Sequence, residues 1–298
     1  MFKFYRSGTM AGTGVVLLVL LFTEMSLRAE VVFYTEPEAE FGSLNQSSVG
    51  SNGSGGVNNY CAPTATMNSF QYLQNEYPNI YGKDASGNPV LEGGQGSWLN
   101  AAQLLASSTF MNTDPNGGTS EDGWVNGKLD YIETYAPGTT SFAGMDGDST
   151  LARPSWDQNA YPTLNFLIDQ LKSGEDIELG LDQSLLTSKG GHVVTLQGIV
   201  WNDVNNNGVF DIGDTLTLQV IDPANPNVIT ALTMYPGPPM SVEGGDYNGF
   251  LLTGALAESP ITPLPPSVDM AMAGLVGLGG LTLARRARGR LRDLKIAG

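Results

Sequence analysis

The chain has 298 residues, with 14 basic against 30 acidic side chains, one cysteine and one histidine. The resulting net charge of −16 disfavours contact with nucleic acid or other anionic polymers. A single cysteine excludes an internal disulfide framework.

Residues 1–29 read as a secretory signal. Lys3 and Arg6 give a positive start, and 15–22 (VVLLVLLF) is an apolar core too short for a stable membrane span. Ser26-Leu27-Arg28-Ala29 offers a small residue for cleavage. Residues 30–59 are expected to be a flexible N-terminal segment, since 44–59 is rich in Ser, Gly and Asn. Helical spacing of Met67, Phe70, Leu73 and Tyr77 predicts a helix over 63–77, with Pro63 suited to its first turn. Further helices are expected at 98–110, 124–135 and 165–172, the last ended by Gly174. The pattern then changes to strands at 177–181, 192–201, 215–221, 230–234 and 250–253. Helices followed by antiparallel strands make one α+β domain over 60–260.

The C-terminal end is patterned too. Thr262-Pro263-Leu264-Pro265-Pro266 is stiff and extended, because each proline fixes φ. An apolar, glycine-rich run over 270–284 follows, then Arg285, Arg286, Arg288, Arg290 and Arg292. This order is a stop-transfer arrangement. It resembles the PEP-CTERM sorting signal, with Pro-Leu-Pro-Pro where Pro-Glu-Pro is usual. The resemblance implies that 262–298 is handled by exosortase-type machinery. The protein would then be an exported bacterial one at the cell surface or in the matrix, touching the membrane only through its terminal signals. Between the two ends, residues 30–263 hold five basic and 27 acidic side chains, a net charge of −22.

Cys61 lies in Asn59-Tyr60-Cys61-Ala62-Pro63-Thr64-Ala65, where a helix should begin. Unpaired N–H groups and the helix dipole there favour a thiolate. The alternative is a small buried apolar residue. His192 follows two glycines at a strand start, and Asp222 ends the next strand. An antiparallel pair centred near residue 207.5 places His192 opposite residue 223, beside Asp222. A carboxylate there would orient the imidazole and stabilise its protonated form. Each residue alone also fits a structural role; the joint arrangement points to nucleophilic catalysis.

Asn-Tyr-Cys-Ala-Pro-Thr-Ala, Gly-Gly-His-Val-Val-Thr-Leu-Gln-Gly and Ile-Asp-Pro resemble motifs of papain-fold cysteine peptidases of the bacteriocin-processing, double-glycine-peptidase-like branch. Residues 167–181 (LIDQLKSGEDIELGL) resemble that family's helix and strand before the histidine. The resemblance spans 60–223. It implies a papain-like fold, N-terminal helices packed on an antiparallel sheet, with Cys61 as nucleophile, His192 as base and Asp222 as orienting acid. It also implies a peptide or protein substrate. The family's oxyanion-binding glutamine would fall at Gly55; the nearest upstream glutamine is Gln46, and Asn58 or Asn59 is a candidate substitute with a shorter side chain.

Residues 203–214 match the calcium loop of an EF-hand. Asp203, Asn205, Asn207, Asp211 and Asp214 supply side-chain oxygens, Val209 a carbonyl, and Gly208 the sharp turn. The flanks read as strands, so the expected Ca2+ ion would stiffen the hairpin joining His192 to Asp222. The sequence therefore supports an exported cysteine peptidase, or a non-catalytic, calcium-stabilised binding or matrix protein on the same fold. A polysaccharide-binding module fits less well, with only four tryptophans along the chain.

Overall fold

A computed structural model describes residues 30–51, 58–147, 156–157, 160–183 and 191–261. The expected leader (1–29), the tail (262–298) and Gly55 lie outside these residues. Among the described residues no helix is long and apolar enough to cross a membrane.

Strand β1 (Glu30–Thr35) leads to helices α1 (Gln46–Val49), α2 (Cys61–Glu76), α3 (Pro78–Tyr81), α4 (Trp98–Ala106) and α5 (Glu121–Tyr135). Then come β2 (Thr140–Asp146), β3 (Trp156–Asp157) and α6 (Leu164–Lys172). Strands β4 (Asp176–Asp182), β5 (His192–Asp203), β6 (Thr215–Ile221), β7 (Ile229–Tyr235), β8 (Ser241–Glu243) and β9 (Leu251–Pro260) complete the fold. It is α+β, as expected.

Local chemistry sets the helix ends. Ser120 caps α5 by accepting from the Gly123 N–H at 3.0 Å, and Glu121 and Asp122 favour its positive end, so α5 starts before the expected residue 124. The Ser107 hydroxyl donates to the Leu104 carbonyl at 2.6 Å where α4 ends, short of the expected 110. Pro63 sits inside the first turn of α2, where its missing N–H costs no helical bond. The described residues of the 30–59 segment contribute β1 and α1, with Gln46 and Val49 buried.

The sheet order is β1-β5-β6-β7-β8-β9-β2-β3, with β4 joining β5 to β9. All pairings are antiparallel except β2 with β3. Strands β4 to β9 thus form a closed ring, tied thinly by the Ser241–Leu251 pair. Leu179, Val194, Leu196, Leu218, Val220 and Leu252 belong to the core cluster of this ring. Alternation along β5 sends Val193 the other way, into a second core with Met67, Phe70, Leu73 and Tyr131 of the helices.

A buried charge cluster joins the two layers. Lys128 of α5 is fully buried; its ammonium contacts Glu178 and lies 2.5 Å from Glu258 and 4.0 Å from Asp176. The Ser69 hydroxyl of α2 donates to Asp176. Burial, then the neighbouring Glu178 charge, raises Asp176 to about 7 and Glu258 well above the carboxylate range. Nearby, burial and then Asp176 raise Glu36 to about 9, while Tyr72 donates to it at 2.9 Å.

A carboxyl whose folded pKa is raised stabilises the fold fully below its unfolded pKa. That contribution is lost as pH rises toward the folded value. Glu36→Gln keeps the acceptor for Tyr72 and mimics the protonated acid. The variant should therefore gain stability over the wild type as pH rises from 6 to 8, by up to about 1.4 kcal/mol per pH unit. Urea unfolding of both proteins across that range measures the difference; a constant difference refutes a protonated Glu36.

Candidate active site

Cys61 is the first residue of α2, preceded by Tyr60 as cap. The Tyr60 N–H donates to Asn58 Oδ1 at 2.9 Å, and the Thr64 hydroxyl to the Tyr60 carbonyl at 2.6 Å, fixing the helix entry. The Ala62 and Val193 N–H groups both donate to the Cys61 sulfur. The thiol therefore sits between a helix N-terminus and the first residues of β5.

His192 opens β5, and β6 returns beside it. Thr195 pairs with Ile221 and Leu196 with Val220; a bulge then shifts the register before Gly198. A Cβ on Gly198 would lie 2.8 Å from the Tyr34 carbonyl, so this close approach of β1 requires glycine. Beside the loop, facing residues sum to 417, as in Asn202 with Thr215, against the expected 415. The bulge brings the sum to 416, so the register near His192 is one residue from the simple expectation. Asp222 still reaches His192, with Oδ1 2.9 Å from Nε2. The His192 side chain also hydrogen-bonds Cys61. The structure thus brings the three expected residues together as one chain of contacts.

Further groups hold the carboxylate. The Ala224 N–H donates to Asp222 Oδ1 at 2.8 Å, and the Tyr247 hydroxyl to Oδ2 at 2.5 Å. The Tyr247 ring stacks on the imidazole with centroids 5.1 Å apart, and Phe250 meets it edge-on. Sequence reasoning missed Tyr247, which lies in a glycine-flanked loop with no periodic signal.

Burial pushes the His192 pKa down, but hydrogen bonds to Asp222 and Cys61 and their charges outweigh it and raise it to about 10. Burial pushes Cys61 up; the bond and charge of His192 and the two N–H donors outweigh that and lower it. Burial likewise opposes ionisation of Asp222, but His192, Tyr247 and Ala224 hold it below its ordinary value. All three shifts run toward the charged forms: thiolate, imidazolium and carboxylate. This combination provides a nucleophile and an acid for the leaving group.

A cavity of about 770 Å³ opens beside Cys61 and His192. Gln46 lines it, although the sequence places that residue far from Cys61. The N–H of Gln46 donates to the Pro223 carbonyl at 2.9 Å. Its side-chain Nε2 donates to the Asn58 carbonyl at 3.2 Å, and Asn58 Nδ2 returns a bond to the Gln46 carbonyl at 3.0 Å. Helix α1 thus ties the turn after Asp222 to the segment before Cys61. The buried Gln46 Oε1 has no protein partner.

The loop over 203–214 closes on itself. Asp203 accepts from the Asn207 and Gly208 N–H groups at 3.2 and 2.7 Å. Asn205 and Asn207 amides donate to Asp211, at 3.2 and 2.8 Å for its Oδ2, and Asp214 accepts from the Val204 and Asp211 N–H groups. Three carboxylates and two amide oxygens gathered in one loop are chemically suited to a hard cation. The exposed loop keeps Val209 at its surface. A separate group, Asp176, Glu178 and Glu258, places oxygens within 4.8 Å of one another. There the Lys128 ammonium already supplies the cation.

Compared with known proteins, the chain matches no family model and no curated protein sequence.

Proposed function

We propose that the protein is a papain-like cysteine peptidase acting on peptide substrates. The hydrogen-bonded series Cys61–His192–Asp222 at the mouth of a cleft carries this reading. A nucleophile on a helix start, facing a His–Asp pair held on an antiparallel sheet, is also the arrangement that the sequence motifs resemble.

The thiolate attacks a peptide carbonyl, forming a C–S bond and placing negative charge on oxygen. The Cys61 main-chain N–H and the Gln46 side-chain amide serve as oxyanion donors. The imidazolium gives its proton to the departing amine as the C–N bond breaks. Neutral His192 then takes a proton from water, which attacks the acyl carbon and frees the thiolate. Asp222 holds the imidazole throughout.

Two measurements test this. Cys61 alkylation by iodoacetamide should be fast and nearly flat from pH 6 to 9, because the thiolate persists below the ordinary thiol pKa of about 8.5. His192→Ala should remove the excess rate at pH 6 and restore a rise near pH 8.5. Gln46→Ala should leave alkylation unchanged and lower peptide turnover by about 10²-fold or more. Slow alkylation that His192→Ala does not alter would replace catalysis by the binding-protein reading.

The 203–214 loop is proposed to bind Ca2+ through Asp203, Asn205, Asn207, Asp211 and Asp214, with the Val209 carbonyl. The ion would stiffen the turn between β5 and β6. Binding to the folded state alone raises the melting temperature. Calcium should therefore raise Tm relative to chelator, and Asp203→Ala should erase the difference. Identical melts with millimolar calcium and with chelator would defeat the proposal.

Export is proposed from the two terminal sequence patterns alone. Protein recovered from its native host should have an intact mass lacking residues 1–29 and the arginine cluster. Full-length chains would refute both signals.

A further inference from the structure

We propose that Tyr247 is a positioning residue of this site: its hydroxyl fixes the plane of the Asp222 carboxylate, and its ring fixes the plane of the His192 imidazole. The assignment rests on the peptidase reading and adds the group that keeps the transferred proton aimed.

The sheet delivers Tyr247 to this place. His192 pairs with Leu181 across β4, and Leu181 pairs with Leu252 of β9. The turn that leads into β9 therefore opens at the His192 end of the sheet. Tyr247 stands in that turn, between β8 and β9. The turn holds its own shape. Asn248 Oδ1 accepts from the Gly244 N–H at 2.7 Å. The Gly249 N–H donates to the Val242 carbonyl at 2.8 Å, and the Phe250 N–H to the Tyr247 carbonyl at 2.9 Å. Gly249 has a φ of +82°, a left-handed conformation that favours glycine.

Each half of the side chain removes one freedom. Asp222 Oδ1 meets both His192 Nε2, at 2.9 Å, and the Ala224 N–H, at 2.8 Å. Two partners on one oxygen leave the other oxygen able to swing. The Tyr247 hydroxyl, 2.5 Å from Oδ2, stops that swing. Hydrogen bonds to Asp222 and Cys61 hold the imidazole at its edge, and a tilt about the line joining those contacts remains. The Tyr247 ring lies 14° from parallel with the imidazole, 5.1 Å between centroids, and blocks the tilt on one face. Phe250 meets Tyr247 at 85°, with centroids 5.4 Å apart, and braces it.

Electrostatics act in the same sense. The π face of a phenol attracts a cation within about 6 Å of its centroid, so it favours imidazolium over imidazole. Burial, then the bond to Asp222, raise the Tyr247 phenol above its ordinary value, so the hydroxyl remains a donor. Tyr247 also lines the cavity beside Cys61, where it bounds the space in which the proton moves.

His192 is the sole histidine, so NMR of full-length protein carrying isotope-labelled histidine reads this one ring. Tyr247→Phe removes the hydroxyl and keeps the ring; Tyr247→Leu removes both. Exchange of the Nε2 proton with water should be about tenfold faster in Tyr247→Phe than in the wild type, and faster again in Tyr247→Leu. Alkylation of Cys61 by iodoacetamide at pH 6 should slow at least about threefold in Tyr247→Leu, with Tyr247→Phe in between. Wild-type exchange and alkylation in both variants overturn the proposal. An equal change in both variants with a lowered melting temperature also overturns it, because it marks packing alone. Should Tyr247→Leu fail to fold, the exchange rate of Tyr247→Phe decides, and an unchanged rate overturns the proposal. Fast wild-type alkylation with unaltered variants removes only the role of Tyr247. Slow wild-type alkylation that His192→Ala does not alter removes the peptidase reading, and the exchange rates still report whether Tyr247 holds the pair.

Discussion

The position of the helical layer on the sheet depends on one buried ammonium. Lys128 reaches from α5 to carboxylates on β4 and β9, and the Ser69 hydroxyl ties α2 to the same cluster. Asp176 and Glu258 are cross-strand partners, and Glu178 stands two residues along on the same face. Removing a charged group from water costs several kcal/mol unless its partners compensate. The cluster is therefore satisfied only when the helices and strands meet in one register. Burial adds a proton to the arrangement, since Asp176 and Glu258 are both raised. Three acids and one base can then share the interior with less uncompensated charge.

That register reaches the candidate site. Ser69 lies eight residues beyond Cys61, about 12 Å along α2. Glu178 precedes Gly180, which lines the cavity, by two residues. A slide of α2 on the sheet would break the ion cluster and move the thiol from the Val193 N–H together. The second attachment is α1, which holds the Asn58 and Pro223 segments at once. Cys61 and Asp222 belong to different layers, yet each is tied to the same short helix.

The parts written in local pattern were legible in the sequence. The apolar spacing of α2 placed Cys61 at a helix start, and the alternating strands β5 and β6 with the proline after Asp222 placed His192 and Asp222 at one end of a hairpin. The register error came from the loop, where Asn202 faces Thr215 and centres the pairing at 208.5 instead of 207.5, and half of it is undone by the bulge before Gly198. The cause of the bulge is nonlocal, because the Gln197 amide turns to bond Thr35 and the Glu36 carbonyl beside β1. Strand β1 itself gave no alternating signal, as Val31 and Phe33 are exposed while Val32 and Tyr34 pack on the ring core. Gln46 was hidden by its distance from Cys61 and by a polar surrounding that resembles a loop. A local trace did exist, because the Asn45 side chain caps α1 by accepting from the Ser47 N–H. Lys128 resembled any solvated helix residue. Its only sequence signal was the two glutamates interrupting otherwise apolar strands, at Glu178 and Glu258.

The acidity of the whole chain sharpens what the site must accomplish. A surrounding field of net −22 opposes a thiolate and opposes an oxyanion. It favours an imidazolium, in line with the raised His192 pKa. Distant carboxylates act through water and are screened beyond about 10 Å at 0.1 M salt. The Ala62 and Val193 N–H groups and the imidazolium instead touch the sulfur, where little solvent intervenes. Contact therefore prevails over the long-range field, and the thiol pKa is lowered even in an acidic protein. The same distance dependence assigns roles to the carboxylates. Asp222 acts through its bond to His192, while the surface acids bear mainly on which charged molecules approach.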